Sequence, residues 1–316
     1  MHEPVLEVTD LVKFYGSFQA LDHVSFNVFP GSIFGFLGQN GAGKTSTIRA
    51  ILGLARPDGG SVRLFGRNPS REPTRVFDRV GYSPELPTLQ GFLTADELLD
   101  FTAKQYGLSR QSRRTRIQEV LELVGLLDHR RKKIGKYSKG MVQRLAIAQA
   151  LLHDPEFVIM DEPTLGLDPA ATVHFRDLFQ RLVRDQKTLL LSSHQLDEVQ
   201  RIATHIAMIH RGRIVFQGNL DEVLTTYSGA RLIDIELPSV PPSLLEALRT
   251  LPYVRNVDVK GNRLTIQLAD DSDRRGELSD FLFHQGATIL GFTQRNMRLE
   301  EAYLGVLKGG GATSAA

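Results

Sequence analysis

Over the first 218 residues, apolar positions form two kinds of pattern that alternate along the chain, and each pattern predicts a different element. Short, mostly apolar runs predict buried strands of a parallel sheet, and they occur at Ile33–Leu37, Phe157–Met160, Thr188–Leu191 and Ile206–Ile209. Between about Thr94 and Leu152 apolar residues recur every three to four positions, as on one face of an amphipathic helix. The alternation predicts an α/β fold with a mostly parallel sheet and an inserted helical subdomain at about 92–153.

The two ends of the chain depart from this alternation. Val5–Val8 and Val24–Val28 predict strands of an N-terminal antiparallel β subdomain. After a linker at 219–230, residues 231–308 follow a strand–helix–strand–strand–helix–strand order, which predicts a small α+β domain of the ferredoxin-like type. Residues 309–316 are expected to form a disordered tail. The sequence thus predicts two domains, at 1–218 and 231–308.

Composition excludes several classes of function. The 316-residue chain has no cysteine, which rules out disulfides, zinc–thiolate sites and thiol catalysis. A formal net charge of +2, with nearly balanced charges from 231 to 308, argues against a nucleic-acid partner. We see no secretory signal and no apolar stretch near the roughly 20 residues of a membrane span. A soluble, cytoplasmic protein is therefore expected.

A glycine-rich segment between a predicted strand and a predicted helix carries the strongest chemical signal. Glycines in such a turn let backbone N–H groups point at phosphate oxygens, and the helix that follows presents its positive end to them. The lysine reaches the terminal phosphates, and the hydroxyl after it ligates Mg²⁺. The expected contacts to a nucleotide are Gly38, Gln39, Asn40, Gly41, Ala42, Gly43, Lys44, Thr45 and Ser46, with Lys44 also catalytic and Thr45 a metal ligand.

Two carboxylates follow a second buried strand. Asp161 and Glu162 come directly after Phe157–Met160, at the strand end where α/β sheets bind their ligands. Asp161 is placed to hold Mg²⁺ through water, and Glu162 to polarise an attacking water as general base. Because an apolar run followed by two acids is a common strand ending, this interpretation depends on the phosphate loop.

Tyr137–Arg144, with the sequence YSKGMVQR, resembles the signature of the ATP-binding cassette (ABC) family. The resemblance covers roughly residues 3–218 and implies a P-loop NTPase fold. Ser138 is also a typical N-cap for a helix that runs to Leu152. In the family this helix start closes on the ATP bound by another subunit. The resemblance therefore implies that ATP is contacted across a head-to-tail dimer by Ser138, Lys139, Gly140 and Met141.

Four further residues match positions of the family. The resemblance assigns Tyr15 to stacking on adenine, and Asp168 to the loop that couples the two sites of the dimer. It assigns His194 to a hydrogen bond that orients water at the γ-phosphate. Glu85 stands where most members have a glutamine that contacts Mg²⁺. A lone aromatic or histidine at a strand end is more often structural, so the order of the motifs supports these roles.

Two departures from the family pattern indicate a branch. Glu85 replaces the usual glutamine, and Lys139 stands where many members carry glycine. Both features resemble the exporters of drugs, lipids, polysaccharides or sodium, and so does the small C-terminal domain. A carboxylate at position 85 is still an oxygen donor, so metal binding should survive the exchange.

The resemblance implies an ATPase subunit of a membrane exporter that works at the inner face of the cell membrane, with ATP and Mg²⁺ as cofactors. Its expected partners are a permease on a separate chain and a second copy of itself or a homologous ATPase, with no nucleic acid. One alternative is an importer ATPase, against which Glu85 and the lack of a long β-rich regulatory domain count. Another is an ABC ATPase that acts on ribosomes or DNA, whose usual tandem cassettes and basic arms are not seen.

Overall fold

The chain folds into two compact units, which divide between Gly218 and Asn219. The structure is a computed structural model that describes residues 3–165, 167, 169–228, 232–270, 272–295, 299–301 and 303. Asp168 and the predicted tail at 309–316 lie outside the described residues, and their predicted roles stay predictions.

The first unit contains a six-stranded sheet, a three-stranded sheet and the helices that cover them. The strands are β1 (Leu6–Tyr15), β2 (Phe18–Val28), β3 (Ile33–Leu37), β4 (Gly59–Leu64), β5 (Val80–Ser83), β6 (Phe157–Asp161), β7 (Thr188–Ser193), β8 (His205–His210) and β9 (Arg213–Asn219). The helices are α1 (Lys44–Ile51), α2 (Pro73–Phe77), α3 (Ala95–Gln105), α4 (Arg110–Leu123), α5 (Lys139–Leu151), α6 (Pro169–Arg184) and α7 (Leu196–Gln200).

The six-stranded sheet, in the order β5-β6-β7-β3-β8-β9, confirms the predicted α/β fold. The pairs β5/β6, β6/β7, β7/β3 and β3/β8 are all parallel. Strands β3 and β6 are buried throughout because one hydrophobic cluster covers each face of the sheet. The cluster on one face includes residues of α3 to α6, and the other includes residues of α1 and the three-stranded sheet. Because β3, β6 and β7 are adjacent and parallel, their carboxyl ends lie at the same edge of the sheet.

The antiparallel sheet, in the order β2-β1-β4, extends further than its sequence predicts. The predicted strands Val5–Val8 and Val24–Val28 continue to the turn at Gly16 and Ser17. Three register shifts along β1 interrupt the pairing, the first between Val8 and Leu11. Such bulges break the two-residue alternation of apolar and polar positions, which is why the pattern did not reveal the full strands. The extension places Tyr15 and Phe18 opposite each other at the tip of the hairpin.

The inserted helices begin at defined caps. Thr94 and Glu97 form a capping box at the start of α3: Glu97 N donates to Thr94 Oγ1 at 3.2 Å, and Thr94 N donates to Glu97 Oε2 at 2.7 Å. At the start of α5, Met141 N donates to Ser138 Oγ at 3.3 Å, which confirms the predicted N-cap. Apolar residues of α3, α4 and α5 pack into one shared cluster, including Leu99, Val120 and Leu145.

The second unit has the predicted ferredoxin-like order. It contains α8 (Leu220–Ser228), β10 (Leu232–Glu236), α9 (Pro242–Arg249), β11 (Val254–Lys260), β12 (Arg263–Leu268), α10 (Arg275–His284) and β13 (Gly291–Arg295). Its strands form an antiparallel sheet in the order β11-β12-β10-β13. Side chains of β10, β11 and β12 pack with those of α9 and α10 in a separate hydrophobic cluster.

Some elements differ from their predicted form. The short helix α2 and strand β9 have no counterpart among the sequence predictions, and helix α8 occupies most of the predicted linker. The sequence predicts a helix over Thr45–Leu54, but α1 ends at Ile51, before Gly53, whose positive φ of 67° does not continue a helix. Among the described residues, no helix combines the length and apolar character that a membrane crossing requires.

Candidate active site

The phosphate-loop residues join β3 to α1 in a backbone conformation that requires glycine. Gly41 and Gly43 have positive φ angles of 78° and 118°, which glycine adopts without steric cost. A Cβ on Gly38 would lie 2.4 Å from the carbonyl oxygen of Ile209. The loop ends at Lys44, the first residue of α1, whose first-turn N–H groups have no acceptor within the helix. The sequence therefore builds an anion-binding helix start at the edge of the sheet.

Lys44 is buried and connects the loop to the acidic strand end. Its Nζ donates a hydrogen bond of 2.6 Å to the carbonyl oxygen of Gly38. The same Nζ lies 3.2 Å from Oε1 of Glu162, in an ion pair without hydrogen-bond geometry. Both side chains are only 6% exposed, so little water screens this pair. The ammonium that is expected to meet a terminal phosphate thus faces the expected general base.

Asp161 and Glu162 lie at the end of β6, beside the start of α1. Thr45 Oγ1 donates to Asp161 Oδ2 at 3.4 Å, and Ser192 Oγ donates to Asp161 Oδ1. Burial raises the pKa of Asp161 above its usual value, and the bond from Ser192 partly opposes that rise. Glu162 has a positive φ of 48°. Its N–H donates to Oγ and to the backbone carbonyl of Ser192, at 3.0 and 3.2 Å.

His194 follows the last residue of β7 and contacts Glu162 directly. Its Nδ1 lies 2.9 Å from Glu162 Oε2, and its backbone N–H donates to the same oxygen at 3.4 Å. Lys44, Glu162 and His194 therefore form a continuous chain of polar contacts. The structure brings these three sequence-predicted catalytic residues together.

A cavity of 330 Å³ opens in front of this chain of contacts. Such a volume is within the range of small-molecule sites. It is lined by Tyr15, Phe18, Ala20, Gln39, Asn40, Gly41, Gly43, Lys44, Thr45, Ser46, Glu85 and Glu162. Most of the sequence-predicted nucleotide contacts are in this set. Gly38 and Ala42 of the loop do not line the cavity, and the Ala42 side chain lies in a hydrophobic cluster instead.

Phe18 and Ala20 are lining residues that the sequence reasoning missed. Both belong to the hairpin whose full length the bulges concealed. Phe18 is 64% exposed and Tyr15 is 44% exposed, so two aromatic rings at the hairpin tip border the cavity. A Gly16–Ser17 turn between two aromatic residues is the signal that could have identified Phe18.

The signature residues lie apart from this cavity. Ser138 and Lys139 are exposed at the start of α5, and neither they nor Gly140 and Met141 line the cavity. A Cβ on Gly140 would lie 3.3 Å from the side chain of Leu167. Among the described residues, this exposed helix start therefore lies outside the cavity that the phosphate loop lines. Their predicted contact with ATP requires another subunit and stays a prediction.

Known proteins resemble this chain over most of its length. A family model described as "ABC transporter" matches residues 21–165. Bacitracin transport ATP-binding protein BcrA of Bacillus licheniformis is 34% identical, with 97% of this chain and 98% of the relative covered. Nod factor export ATP-binding protein I of Paraburkholderia xenovorans is 33% identical, with 96% and 97% covered.

A solved structure of an ATP-binding subunit of an ABC transporter matches with a TM-score of 0.66 and 33% identity. The match covers 71% of this chain and 93% of that one. Together with the phosphate loop and the acidic strand end, these similarities show that the chain belongs to the family of ABC transporter ATP-binding proteins, which hydrolyse ATP.

Proposed function

We propose that this chain is the ATP-hydrolysing subunit of an ABC exporter, which binds MgATP between two subunits and drives a permease on a separate chain. The catalytic part of this proposal rests on the position of Glu162, which contacts both Lys44 and His194 and lines the cavity. A carboxylate at this place can accept a proton from water while the histidine orients the acceptor.

The contact between Lys44 and Glu162 suggests how binding prepares the base. A γ-phosphate at the loop would compete with Glu162 for the Lys44 ammonium, because both are anions. Once Lys44 turns to phosphate, Glu162 Oε1 is free to meet the attacking water. His194 would keep its bond to Oε2 and so hold the carboxylate in one orientation.

The oxygen atoms near α1 suit Mg²⁺. Thr45 Oγ1 and Asp161 Oδ2 are hard donors that already lie 3.4 Å apart, and Glu85 lines the same cavity. Across the described residues, no cluster of three or more acidic or histidine side chains could hold a metal ion alone. Mg²⁺ suits such a sparse donor set because it keeps several waters and shares ligands with phosphates. When bound, it would neutralise charge on the phosphate oxygens.

Export is the direction that the relatives support. One relative is a bacitracin transport protein by name, and another is a Nod factor export protein. Both match this chain nearly end to end, so the likeness includes the second unit as well as the nucleotide-binding unit. For such an exporter subunit we propose a location in the cytoplasm, attached to the inner face of the cell membrane through the permease. An importer ATPase is the second candidate.

Steady-state hydrolysis of MgATP tests the catalytic assignment. Glu162→Gln and Lys44→Ala should each lower kcat by about 10²-fold or more, since general-base and phosphate contacts contribute factors of this size. Glu156→Gln is the matched control, because Glu156 precedes the same strand at its other end and pairs with Arg79 at the surface. Wild-type turnover in a pure Glu162→Gln preparation would contradict the role of the base.

Subunit association tests the dimer. Glu162→Gln mixed with MgATP should migrate at twice the monomer mass in size-exclusion chromatography with light scattering. Adding Ser138→Arg should prevent this shift, because a bulky side chain would occupy the helix start that is expected to face the other subunit's ATP. Ser109→Arg is the control: Ser109 is likewise the N-cap of a helix in the same subdomain. Equal loss of the dimer in both variants would argue against a specific contact.

Purification from detergent-solubilised membranes tests the partner. A tagged chain should retain an integral membrane protein with several apolar spans, and reconstitution with that protein should stimulate ATP hydrolysis. Retention of ribosomes without such a protein would favour an ABC ATPase that does not transport.

A further inference from the structure

The hydroxyl of Ser192 connects the two carboxylate residues at the end of β6. Asp161 and Ser192 are paired across the parallel strands β6 and β7. The Ser192 hydroxyl donates its proton to Asp161 Oδ1, and its oxygen accepts the N–H of Glu162 at 3.0 Å. All three residues are buried, with Ser192 at 0% exposure. One hydroxyl thus uses both its donor and an acceptor site on neighbouring functional residues.

The two bonds have separate consequences. The bond to Asp161 Oδ1 leaves Oδ2 directed at Thr45 Oγ1, 3.4 Å away, so one carboxylate oxygen is anchored and the other faces the phosphate loop. The bond from Glu162 N supports a backbone φ of 48°, a left-handed conformation that a non-glycine residue adopts only at a cost. This conformation turns the Glu162 side chain towards Lys44 and His194.

We infer that Ser192 is a positioning residue that sets the orientation of Asp161 for Mg²⁺ and of Glu162 for the attacking water. The inference rests on the proposed function. It adds Ser192 to the residues that support this function, although Ser192 lies outside the phosphate loop and is neither of the two carboxylates nor His194. Substitution of a residue that hydrogen-bonds to a metal ligand commonly changes metal affinity or activity by about 10- to 100-fold. Ser192 is not among the residues that line the cavity, so the role assigned to it is positioning and not catalysis.

Two substitutions separate this role from a general loss of packing. Ser192→Ala removes both hydrogen bonds, whereas Ser192→Thr keeps the hydroxyl and suits a strand position. Thr188→Val is the matched control. Thr188 lies at the other end of β7, and its buried hydroxyl accepts the N–H of Gly31 at 3.0 Å. Its removal costs a comparable bond without touching Asp161 or Glu162.

The measurement is the affinity for a fluorescent ATP analogue in excess Mg²⁺ and in excess EDTA. The dissociation constant in EDTA divided by the dissociation constant in Mg²⁺ reports how much the metal contributes to binding, without any turnover. Ser192→Ala should lower this ratio by about tenfold or more and leave the affinity in EDTA within about twofold of wild type. Its kcat should fall by a factor between about 10 and 100. Ser192→Thr should restore both quantities, and Thr188→Val should change neither.

The inference would be overturned if Ser192→Ala kept the wild-type ratio and kcat. It would also be overturned if Ser192→Ala lost affinity equally with and without Mg²⁺, because an equal loss indicates structural damage alone. If the wild-type protein itself binds ATP equally well in Mg²⁺ and EDTA, the proposed MgATP function fails, independently of Ser192.

Discussion

At the scale of single residues, Glu162 shows how the fold fixes one side chain from two directions. Its backbone is held through Ser192, and its carboxylate is held between Lys44 and His194. A left-handed φ at a residue with a side chain costs on the order of 1 kcal/mol or more, which these contacts offset. The orientation of the Glu162 carboxylate, the proposed base, is therefore set by contacts within the chain.

The first prediction concerns the affinity for ATP. Glu162→Gln removes an anion that competes with the γ-phosphate for Lys44, so we expect tighter ATP binding even though turnover is lost. A change of about 1 kcal/mol, or roughly fivefold in Kd, is reasonable for one charge at this distance. Titration with a fluorescent ATP analogue measures it, with Glu156→Gln as the control. Weaker binding by Glu162→Gln would show that the carboxylate assists the phosphate instead of competing with it.

The second prediction concerns pH and His153, which follows α5. His153 stacks on Tyr106 with ring centres 4.0 Å apart, and its Nε2 lies 3.1 Å from the carbonyl oxygen of Val80. Burial lowers the pKa of His153 below 6.5. A group with a lowered pKa in the folded state contributes stability above its unfolded pKa, and that contribution is lost as the pH falls through the folded value.

Thermal unfolding at pH 7.5 and 5.5 tests this. The fall in Tm between the two pH values should be smaller in His153→Gln than in wild type, because the glutamine cannot take up a proton. His23→Gln is the control, since the His23 side chain is 70% exposed. An unchanged fall in Tm for His153→Gln would mean that other groups govern the acid sensitivity.

Sequence reasoning reached some of these residues and not others. Lys44 and Glu162 are found because each occupies a fixed place in a motif with a chemical purpose, and His194 because of its place in the family order. Ser192 is one serine among many, and only the register between β6 and β7 shows that it faces Asp161. Phe18 was missed because bulges hid the strand that carries it. Contacts that depend on strand register cannot be inferred from a single sequence.

At the scale of elements, the proposed catalytic residues lie at the carboxyl ends of buried strands. β6 includes Asp161, and β7 ends one residue before His194. Because both strands are parallel to β3, their ends meet the phosphate loop at one edge. The apolar runs predicted these strands well, since a buried parallel strand is a short continuous hydrophobic segment. The helical insert was likewise predicted by its periodicity, which its shared hydrophobic cluster explains.

The third prediction concerns the start of α3. Thr94→Ala removes the side-chain cap from the capping box with Glu97, and should cost about 1 kcal/mol of stability. Thermal unfolding would show this as a lower Tm, and Thr94→Ser should recover most of the loss. Thr115→Ala, an exposed change inside α4, is expected to be neutral or slightly stabilising, because alanine is the better helix former. Equal destabilisation by both alanine variants would argue against the capping box.

At the scale of the whole molecule, the two units have separate hydrophobic clusters. As far as the second unit is described, its cluster extends from Ile233 to Phe292. The order of its strands and helices along the chain was predicted because each element is short and bounded by turn residues. The role of this unit is not predicted by its sequence, since it offers no motif of reactive side chains.

The fourth prediction follows from these separate clusters. Leu264 is fully buried in β12, so Leu264→Ala should destabilise the second unit by about 2–5 kcal/mol. Hydrogen exchange should rise across residues 232–295, while the affinity for MgATP stays within about twofold of wild type. Leu290→Ala is the control, because Leu290 is 61% exposed. A large loss of ATP affinity in Leu264→Ala would show that the two units are energetically coupled.

The division at Gly218 and Asn219 also has a consequence for how such a chain can diverge. Substitutions inside one hydrophobic cluster couple most directly with neighbours in the same cluster, so we expect compensating changes mainly among residues that share a cluster. The nucleotide-binding unit must keep both its packing and its chemistry, whereas the sequence of the second unit shows no reactive motif beside its packed interior. We therefore expect sequences of relatives to differ more in the second unit than around the phosphate loop and the acidic strand end.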